Sequence, residues 1–275
     1  MIEGTFLQRM LAHKRLEVER QQRKIPLTKL RAELDHVPAP RPFAARLRHA
    51  NRLGLIAEIK KQSPAKGLLA ADFDPLHLAR VYAASGADAI SVLTDNRFFG
   101  GSLQHLKAIR LTQARDGTAT PLLRKDFVVD PYQVYEARVY GADAVLIIVG
   151  AVAPALVRDL IGAAAEAGLE ALVEVHTEQE LAIAVEAGAV MIGINNRDLH
   201  TFEVDVGTTE RLLRAAPEID RSLMVSLSGI RGPEDLQYLR GLGADAILVG
   251  EALMTAPDPA VKVRELSGMG ASRAE

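Results

Sequence analysis

Five polar residues interrupt or end short apolar runs of this sequence, where an apolar run would not normally carry them. They are two glutamates, two lysines and an asparagine: Glu58, Lys60, Lys125, Glu174 and Asn195. Glu58 and Lys60 are two residues apart, so in a strand their side chains point to the same side. Burying a carboxylate and an ammonium is costly unless they pair, so a structural salt bridge is one interpretation. If all five converge on one face, they form an acid–base site.

Lys125 and Glu174 are the candidate acid and base of this set. Two neighbouring ammonium groups repel each other, which makes Lys60 or Lys125 a better proton donor near neutral pH. Glu174 interrupts an otherwise apolar run and is the candidate base. His176 follows two residues later, and we interpret it as a loop residue beyond the strand.

Two glycine-containing segments are typical of phosphate-binding loops. Ser228-Gly229 and Gly250-Glu251 each directly follow a short apolar run. Glycine lets the backbone approach an anion closely, and backbone N–H groups at a helix N-terminus bind phosphate. With Lys60 opposite, the two segments predict a site for a small phosphorylated molecule.

The residue types indicate neither a metal nor a cofactor. The chain has no cysteine, which excludes thiolate metal sites, iron–sulfur clusters and a cysteine nucleophile. No carboxylate-rich loop indicates calcium, and the Gly-x-Gly-x-x-Gly motif of dinucleotide-binding folds is absent. The paired helical spacing of zinc proteases is missing among the histidines, which are His13, His36, His49, His77, His105, His176 and His200. We expect a metal-free acid–base enzyme.

Eight short apolar runs, each followed by a helical pattern, must position these groups. They cover residues 55–59, 89–93, 121–123, 144–149, 170–175, 191–194, 223–227 and 246–249. Eight strands with intervening helices predict a (β/α)8 TIM barrel, an α/β fold whose active site lies at the C-terminal ends of the strands. Gly-Ala-Asp-Ala recurs at 86–89, 141–144 and 243–246, each time between a predicted helix and strand, where glycine accepts a positive φ. We interpret this repeat as structural.

Residues 1–50 are predicted to form an N-terminal helical extension, and residues 51–275 a single catalytic barrel. The first part carries apolar residues at helical spacing and is broken by several prolines. One interpretation is a helical cap that closes one end of the barrel. The alternative is a lid over the site.

Length and charge limit the remaining classes of function. The chain has 275 residues, 48% of them apolar, which suffices for one barrel domain of about 200 to 250 residues with an extension. Its 33 Lys and Arg against 35 Asp and Glu leave a net charge of −2, which disfavours binding to nucleic acid or a membrane surface. The first residues lack the apolar run of a secretory signal, and the longest apolar stretch, 144–157, is too short to span a bilayer. We expect a cytoplasmic monomer.

Seven ordered segments resemble the indole-3-glycerol-phosphate synthase family. They are Ile56-Ala57-Glu58-Ile59-Lys60-Lys61-Gln62-Ser63-Pro64, Ser91-Val92-Leu93-Thr94, Phe99-Gly100-Gly101-Ser102, Leu123-Arg124-Lys125-Asp126-Phe127, Leu172-Val173-Glu174-Val175-His176, Gly193-Ile194-Asn195-Asn196-Arg197-Asp198-Leu199 and Ser228-Gly229-Ile230. The resemblance runs in order from the first helix to Met254. A helical N-terminal extension is also a feature of that family.

The resemblance implies a three-part reaction without a cofactor. The substrate, 1-(2-carboxyphenylamino)-1-deoxyribulose 5-phosphate, closes its ring and then loses carbon dioxide and water to give indole-3-glycerol phosphate. By motif position, Lys125 resembles the general acid that protonates the ribulose carbonyl, and Glu174 the acid–base residue of the dehydration. Lys60 is similar to the catalytic residue that contacts the substrate carboxylate or phosphate and assists proton transfer.

The remaining residues of the family site are also matched. Glu58 and Asn195 resemble orienting residues. Substrate-binding positions are implied for Ser63, Phe127, Arg197 and Ser228, and phosphate-binding positions for Gly229, Gly250 and Glu251.

Two positions depart from the family pattern. The family usually has Ser-Pro-Ser where this chain has Ser63-Pro64-Ala65, and Glu-Ser-Gly where it has Leu227-Ser228-Gly229. A leucine can neither pair with a lysine nor accept a proton, so Leu227 predicts a synthase of reduced activity. The alternative is a weakly active or non-catalytic barrel that binds a phosphorylated metabolite. A phosphoribosylanthranilate isomerase shares the phosphate loops, but it ordinarily uses a cysteine or aspartate pair, and this chain has no cysteine.

Overall fold

Eight apolar segments form parallel strands that close into a barrel in this computed structural model, which describes residues 5–199, 201–215 and 222–268. In chain order the strands are β1 Gly54–Ile59, β2 Ala89–Leu93, β3 Leu122–Lys125, β4 Ala144–Ile148, β5 Glu170–Val175, β6 Met191–Asn195, β7 Leu223–Leu227 and β8 Ala246–Val249. Each pairs with its neighbours in sequence, and β1 also pairs with β8. The predicted (β/α)8 TIM barrel is confirmed. His200 and the outer ends of the two predicted domains, 1–4 and 269–275, lie outside the described residues.

Helices precede and alternate with the strands. The extension contains α1 Phe6–Lys24, α2 Leu27–Glu33 and α3 Phe43–Leu47, and the barrel contains α4 Pro75–Ala84, α5 Leu103–Asp116, α6 Pro131–Val139, α7 Pro154–Glu166, α8 Glu178–Glu186, α9 Gly207–Ala215, α10 Pro233–Gly241, α11 Glu251–Met254 and α12 Pro259–Leu266. Short 3-10 turns occur at Leu34–His36 and Val149–Ala151. Within the described ranges, none of these helices has the length and apolar character needed to cross a membrane.

The strands are apolar on both faces because the barrel core fills one side and the helices cover the other. Every residue of β1, β2, β4, β6, β7 and β8 is buried. The predicted bounds of β2, β5, β7 and β8 match the structure. β3 and β6 extend further than predicted because Lys125 pairs with Leu93 and Asn195 with Leu227, so backbone pairing continues beyond the apolar side chains.

The Gly-Ala-Asp-Ala repeat has the expected structural role. Its glycines have φ near +90° to +100°. Its aspartates accept a hydrogen bond from the backbone N–H of an adjacent strand: Asp88 from Leu55 at 2.9 Å, Asp143 from Leu122 at 2.7 Å and Asp245 from Met224 at 2.7 Å. The repeat therefore ties each helix end to the neighbouring strand.

The N-terminal extension reaches both ends of the barrel. At the N-terminal end of the strands, the backbone N–H of Phe43 in α3 donates to Glu170 at 2.6 Å. At the other end, Phe6 of α1 contacts Phe98 and Phe202 with ring centroids 5.6 and 5.1 Å away. These two phenylalanines lie in the loops after β2 and β6. The extension thus caps one end with α3 and covers the edge of the opposite end with α1.

Candidate active site

A cavity of about 700 Å³ opens at the C-terminal ends of the barrel strands. Its wall includes every site residue predicted from the sequence: Glu58, Lys60, Ser63, Lys125, Phe127, Glu174, Asn195, Arg197, Ser228, Gly229, Gly250 and Glu251. The eight strands bring these positions together from across almost 200 residues of sequence. This is the face at which TIM barrels carry their chemistry.

Glu58 of β1 lies between the two lysines. Lys60 Nζ donates to Glu58 Oε1 at 2.5 Å, and Lys125 Nζ lies 3.9 Å from Glu58 Oε2. Burial alone would raise the pKa of Glu58, but the charges of Lys60 and Lys125 outweigh that effect and hold the pKa below its ordinary value. Glu58 is therefore an anion near neutral pH. The two ammonium groups share this carboxylate. From the sequence we expected the two lysines to repel each other and did not expect an anion between them.

Glu174 of β5 faces the same lysine from the other side. It is 1% exposed, and its Oε1 accepts a hydrogen bond from Asn195 Nδ2 at 2.9 Å. Lys125 Nζ lies 3.9 Å from Oε2, which has no hydrogen-bond partner among the described residues. Asn195 is fixed in turn because its Oδ1 accepts the backbone N–H of Arg197 at 3.0 Å. One oxygen of Glu174 is thus held by Asn195, and the other is buried without a hydrogen bond from any described residue.

The predicted phosphate segments lie beside this group. A Cβ added at Gly250 would come within 2.2 Å of Glu58 Oε1 and 3.0 Å of Lys60 Nζ, so any other residue there would displace the Glu58–Lys60 pair. Ser228 and Gly229 both have positive φ, at 68° and 83°. The turn after β7 therefore presents backbone to the cavity without a projecting side chain at Gly229.

The mouth of the cavity carries a further ion pair. Arg197 Nη2 lies 3.1 Å from Glu251 Oε2 and Lys66 Nζ lies 3.8 Å from Glu251 Oε1. Glu251 begins α11, the helix that follows the Gly250 turn. The sequence interpretation assigned its backbone to phosphate binding, and its side chain adds a bond to the loop after β6.

Other residues of the wall were missed from sequence. Met10 of α1 reaches the cavity, and Phe99, Leu199 and Phe202 complete its apolar side. Phe99 packs near the predicted Phe127 with ring centroids 6.2 Å apart. Met10 lies on an ordinary amphipathic helix, and the only indication that it could reach the site was the alternative that the extension forms a lid.

His176 lies in the loop after β5, as expected, but its ring turns towards the site. His176 Nε2 is 3.5 Å from Glu174 Oε1 and its Nδ1 is 3.2 Å from Glu180 Oε2. The alternation of side chains along β5 was the signal, because residues 174 and 176 share one side if the extended backbone continues.

Leu227 occupies the position where the resemblance expects a glutamate. It is buried and lines the cavity, and its Cδ1 would lie 2.8 Å from a Cβ added at Gly193. Ala65, the other departure, also lines the cavity. In the part of the chain that the structure describes, no group of three or more His, Asp or Glu side chains is arranged to hold a metal ion.

Solved structures of other proteins share this barrel. Thiamine phosphate pyrophosphorylase from Pyrococcus furiosus superimposes with a TM-score of 0.59 at 17% identity, covering 83% of this chain and 97% of that one. For 3-hexulose-6-phosphate synthase from Salmonella typhimurium the TM-score is 0.59 at 18% identity, covering 78% and 97%. At these identities the likeness shows the fold alone.

Sequence comparison is more specific. The family model of indole-3-glycerol phosphate synthase matches residues 7–266. The indole-3-glycerol phosphate synthase of Roseiflexus sp. (strain RS-1) is 56% identical over 265 residues, which are 96% of this chain and 98% of that protein. The one from Dehalococcoides mccartyi (strain CBDB1) is 46% identical over 261 residues, or 95% and 99%. This chain therefore belongs to the indole-3-glycerol phosphate synthase family of decarboxylating lyases in tryptophan biosynthesis.

Proposed function

We propose that this cavity converts 1-(2-carboxyphenylamino)-1-deoxyribulose 5-phosphate into indole-3-glycerol phosphate, with Lys125 at the centre of the chemistry. The observation that carries the proposal is the position of the Lys125 ammonium, 3.9 Å from both the Glu58 and the Glu174 carboxylates. One proton donor thus stands between a carboxylate whose pKa is held below its ordinary value and a carboxylate with one oxygen that makes no hydrogen bond among the described residues. Such a group can serve two successive proton-dependent steps without leaving the cavity.

Ring closure is the first step. Lys125 gives a proton to the ribulose carbonyl oxygen, which makes the carbonyl carbon electrophilic while the ring carbon that bears the carboxylate attacks it. Glu58 holds Lys125 in place. A rigid wall holds the two carbons at near-attack distance, so the rotational and translational freedom is lost on binding rather than in the chemical step. This can lower the activation barrier by on the order of 7 kcal/mol or more.

Loss of carbon dioxide then breaks the bond between the ring carbon and its carboxylate. The electron pair returns to the ring and restores its aromaticity, so the substrate itself serves as the electron sink. Lys60 is the residue we assign to the leaving carboxylate or the phosphate, because its ammonium lies over the Gly250 turn. Its pairing with Glu58 fixes its position.

Dehydration is the last step. Glu174 takes a proton from the ring-closed intermediate and returns it to the departing hydroxyl, so that water leaves and the indole forms. Asn195 orients the carboxylate through the 2.9 Å hydrogen bond. Oε2, which makes no hydrogen bond among the described residues, is the atom to which we assign this proton.

The remaining wall binds the substrate. We assign the phosphate to the backbone at Gly229, Gly250 and Glu251 together with Lys60, where a positive φ or a missing Cβ lets the anion approach. The rest of the substrate contacts the side chains of Ser63, Phe127, Arg197 and Ser228. We also propose a single catalytic barrel, residues 51–275, with the extension of residues 1–50, acting as a cytoplasmic monomer without nucleic acid.

A binding protein without catalysis has no support in the comparisons. The direct test is to mix purified protein, without added metal or cofactor, with the substrate and follow indole fluorescence. Turnover with release of one carbon dioxide per indole is expected. Saturable binding without product would overturn the proposal.

A further inference from the structure

His176 lies behind Glu174, outside the cavity wall, in a setting that the reaction steps above do not use. Its side chain is 14% exposed. Glu180 Oε2 accepts the backbone N–H of His176 at 2.6 Å and lies 3.2 Å from its Nδ1. On the other edge of the ring, Nε2 is buried, has no hydrogen-bond partner among the described residues, and points to Glu174 Oε1 at 3.5 Å.

Glu180 is itself fixed, so the ring has little freedom. It is the third residue of α8, and its backbone N–H donates to the capping hydroxyl of Thr177 at 3.1 Å. Its carboxylate packs against Gly150 after β4, where an added Cβ would come within 2.7 Å of Glu180 Oε1. Thr177 fixes the backbone of Glu180, Gly150 leaves room for its carboxylate, and the bonds of that carboxylate to the His176 N–H and Nδ1 aim the imidazole at Glu174.

The charges around the ring favour an imidazolium. Glu174 of β5, Glu180 of α8 and Asp198 of the loop after β6 are the charged groups that face it, and Lys125 lies on the far side of Glu174. Burial alone would lower the pKa of His176. The hydrogen bond to Glu180 and the carboxylate charges outweigh burial and raise the pKa above its ordinary value.

We propose that His176 is a positioning residue which, as an imidazolium held by Glu180, fixes the orientation of the Glu174 carboxylate for its proton transfers. The inference rests on the role proposed for Glu174. In this arrangement His176 and Asn195 both face Glu174 Oε1, and Oε2 makes no hydrogen bond among the described residues.

Loss of the His176 proton reverses the interaction. Glu180 Oε2 is nearer to the ring than Glu174 and is fixed, so the remaining proton stays on Nδ1. Nε2 then presents a lone pair to the Glu174 carboxylate, and the two repel each other. The rate of the chemical step should therefore fall on an alkaline limb that lies above the ordinary imidazole pKa of about 6.5.

The experiment measures the single-turnover rate constant and KM against pH for the wild type, His176→Gln and Glu180→Gln. In His176→Gln we expect a rate at least about tenfold lower, a fraction of what a positioned acid–base group contributes, with little change in KM and with the alkaline limb that His176 contributes absent. In Glu180→Gln the limb should persist but move to lower pH, since a carboxylate that raises the pKa is gone. His77→Gln, the same change at an exposed site on α4, is the matched control and should leave the profile unchanged.

An alkaline limb that is the same in the wild type and His176→Gln would overturn the proposal, as would a loss of thermal stability without a change in the profile. NMR titration of His176 in the wild type and Glu180→Gln gives a second test that needs no His176 variant, and equal pKa values would contradict the proposal. Glu174→Gln tests the role of Glu174 separately from the role of His176. Full activity in that variant would contradict the proposed role of Glu174, whereas an inactive Glu174→Gln with an unchanged His176→Gln profile would contradict only the role of His176.

Discussion

Two clusters of buried charge flank the end of β3 and differ in how completely they are paired. The active-site cluster consists of Glu58, Lys60, Lys125 and Glu174. The helix cluster, on the other side of the chain, consists of Lys14 of α1, Asp95 after β2, and Arg124 and Asp126 of the β3 end. Lys125 and Asp126 are adjacent in sequence but belong to different clusters.

In the helix cluster the central carboxylate is fully bonded. Asp126 Oδ1 lies 2.8 Å from Lys14 Nζ and accepts the Phe127 N–H at 2.9 Å. Oδ2 accepts from Thr94 Oγ1 at 2.6 Å and Arg124 Nη2 at 3.1 Å. Lys14 is 1% exposed and also lies 3.0 Å from Asp95. Both oxygens of Asp126 thus have two partners each, and Asp126 is not part of the cavity wall. Such a carboxylate stabilises the fold.

In the active-site cluster the pairing is left incomplete where the cavity begins. Lys125 lies no closer than 3.9 Å to either carboxylate, and Glu174 Oε2 has no hydrogen bond among the described residues. Unsatisfied buried polar atoms are costly and need a reason, and a substrate that completes the pairing provides one. Asp95 Oδ2 of the helix cluster also lacks a hydrogen bond among the described residues, but the Lys14 ammonium lies only 3.0 Å from it. The two clusters therefore differ in how closely their ions are paired, and the loosely paired one faces the cavity.

The largest effect that we expect is that of removing the Lys125 ammonium from the active-site cluster. Lys125→Met should lower kcat/KM by about a thousandfold or more, on the order of 4 kcal/mol, because it removes the ammonium that lies 3.9 Å from both carboxylates. The free energy of unfolding should change by less than about 1 kcal/mol, because Glu58 keeps Lys60 and Glu174 keeps Asn195. The fluorescence assay and urea unfolding measure the two effects, with Lys107→Met on the exposed face of α5 as the control. Retained activity, or a large loss of stability, would show that Lys125 is structural.

The same change in the helix cluster should have the opposite result. Lys14→Met leaves Asp95 and Asp126 buried without their shared cation, so the free energy of unfolding should fall by about 3–5 kcal/mol. Urea unfolding at 25 °C measures it. Arg80→Met is the control, because it breaks a pair with Asp116 that is exposed and contributes about 1 kcal/mol or less. If both variants lose the same small amount, the helix cluster is not a structural anchor.

The sequence predicted the barrel better than it predicted what covers the barrel. The bounds of β2, β5, β7 and β8 follow from apolar runs of strand length, and strand ends alone placed Glu58, Lys125 and Glu174 on one face. These are local patterns combined with one rule of barrel topology.

The positions of Lys14 and His176 could not be predicted from local patterns, because their partners come from other elements of the fold. Lys14 follows apolar residues on a helix rich in charge, and a lysine there is ordinarily exposed. Its partners Asp95 and Asp126 are about 80 and 110 residues away, so pairing depends on how α1 crosses the barrel. His176 likewise depends on Glu180 and Gly150, which come from two other elements.

The pH dependence of stability tests the helix cluster more finely. Burial alone would raise the pKa of Asp126, but Lys14 and Arg124 outweigh it and lower the pKa to about 2. A carboxyl whose pKa is depressed by folding contributes stability above its unfolded pKa of about 3.9, and that stability is lost as the pH falls through the folded pKa. The difference in unfolding free energy between the wild type and Asp126→Asn should therefore be constant from pH 7 to about 5. Below about pH 4 it should shrink by about 2–3 kcal/mol. A difference that already declines near pH 6 would contradict this assignment.

The smallest expected effect concerns Leu227, where the active-site cluster has an apolar neighbour. Leu227 lies opposite Asn195 in the barrel ladder and lines the cavity, and the resemblance to the family expects a glutamate there. Leu227→Glu should raise kcat/KM by about three- to tenfold, roughly 1 kcal/mol, because a carboxylate adds a partner for the cationic side of the cluster. Leu227→Gln, which has the same shape without the charge, should give no increase. An unchanged or lower kcat/KM in Leu227→Glu would mean that Glu58 and Glu174 already supply all the negative charge that the reaction uses. Leu227 would then be explained by its packing against Gly193 in the cavity wall and not by a loss of activity.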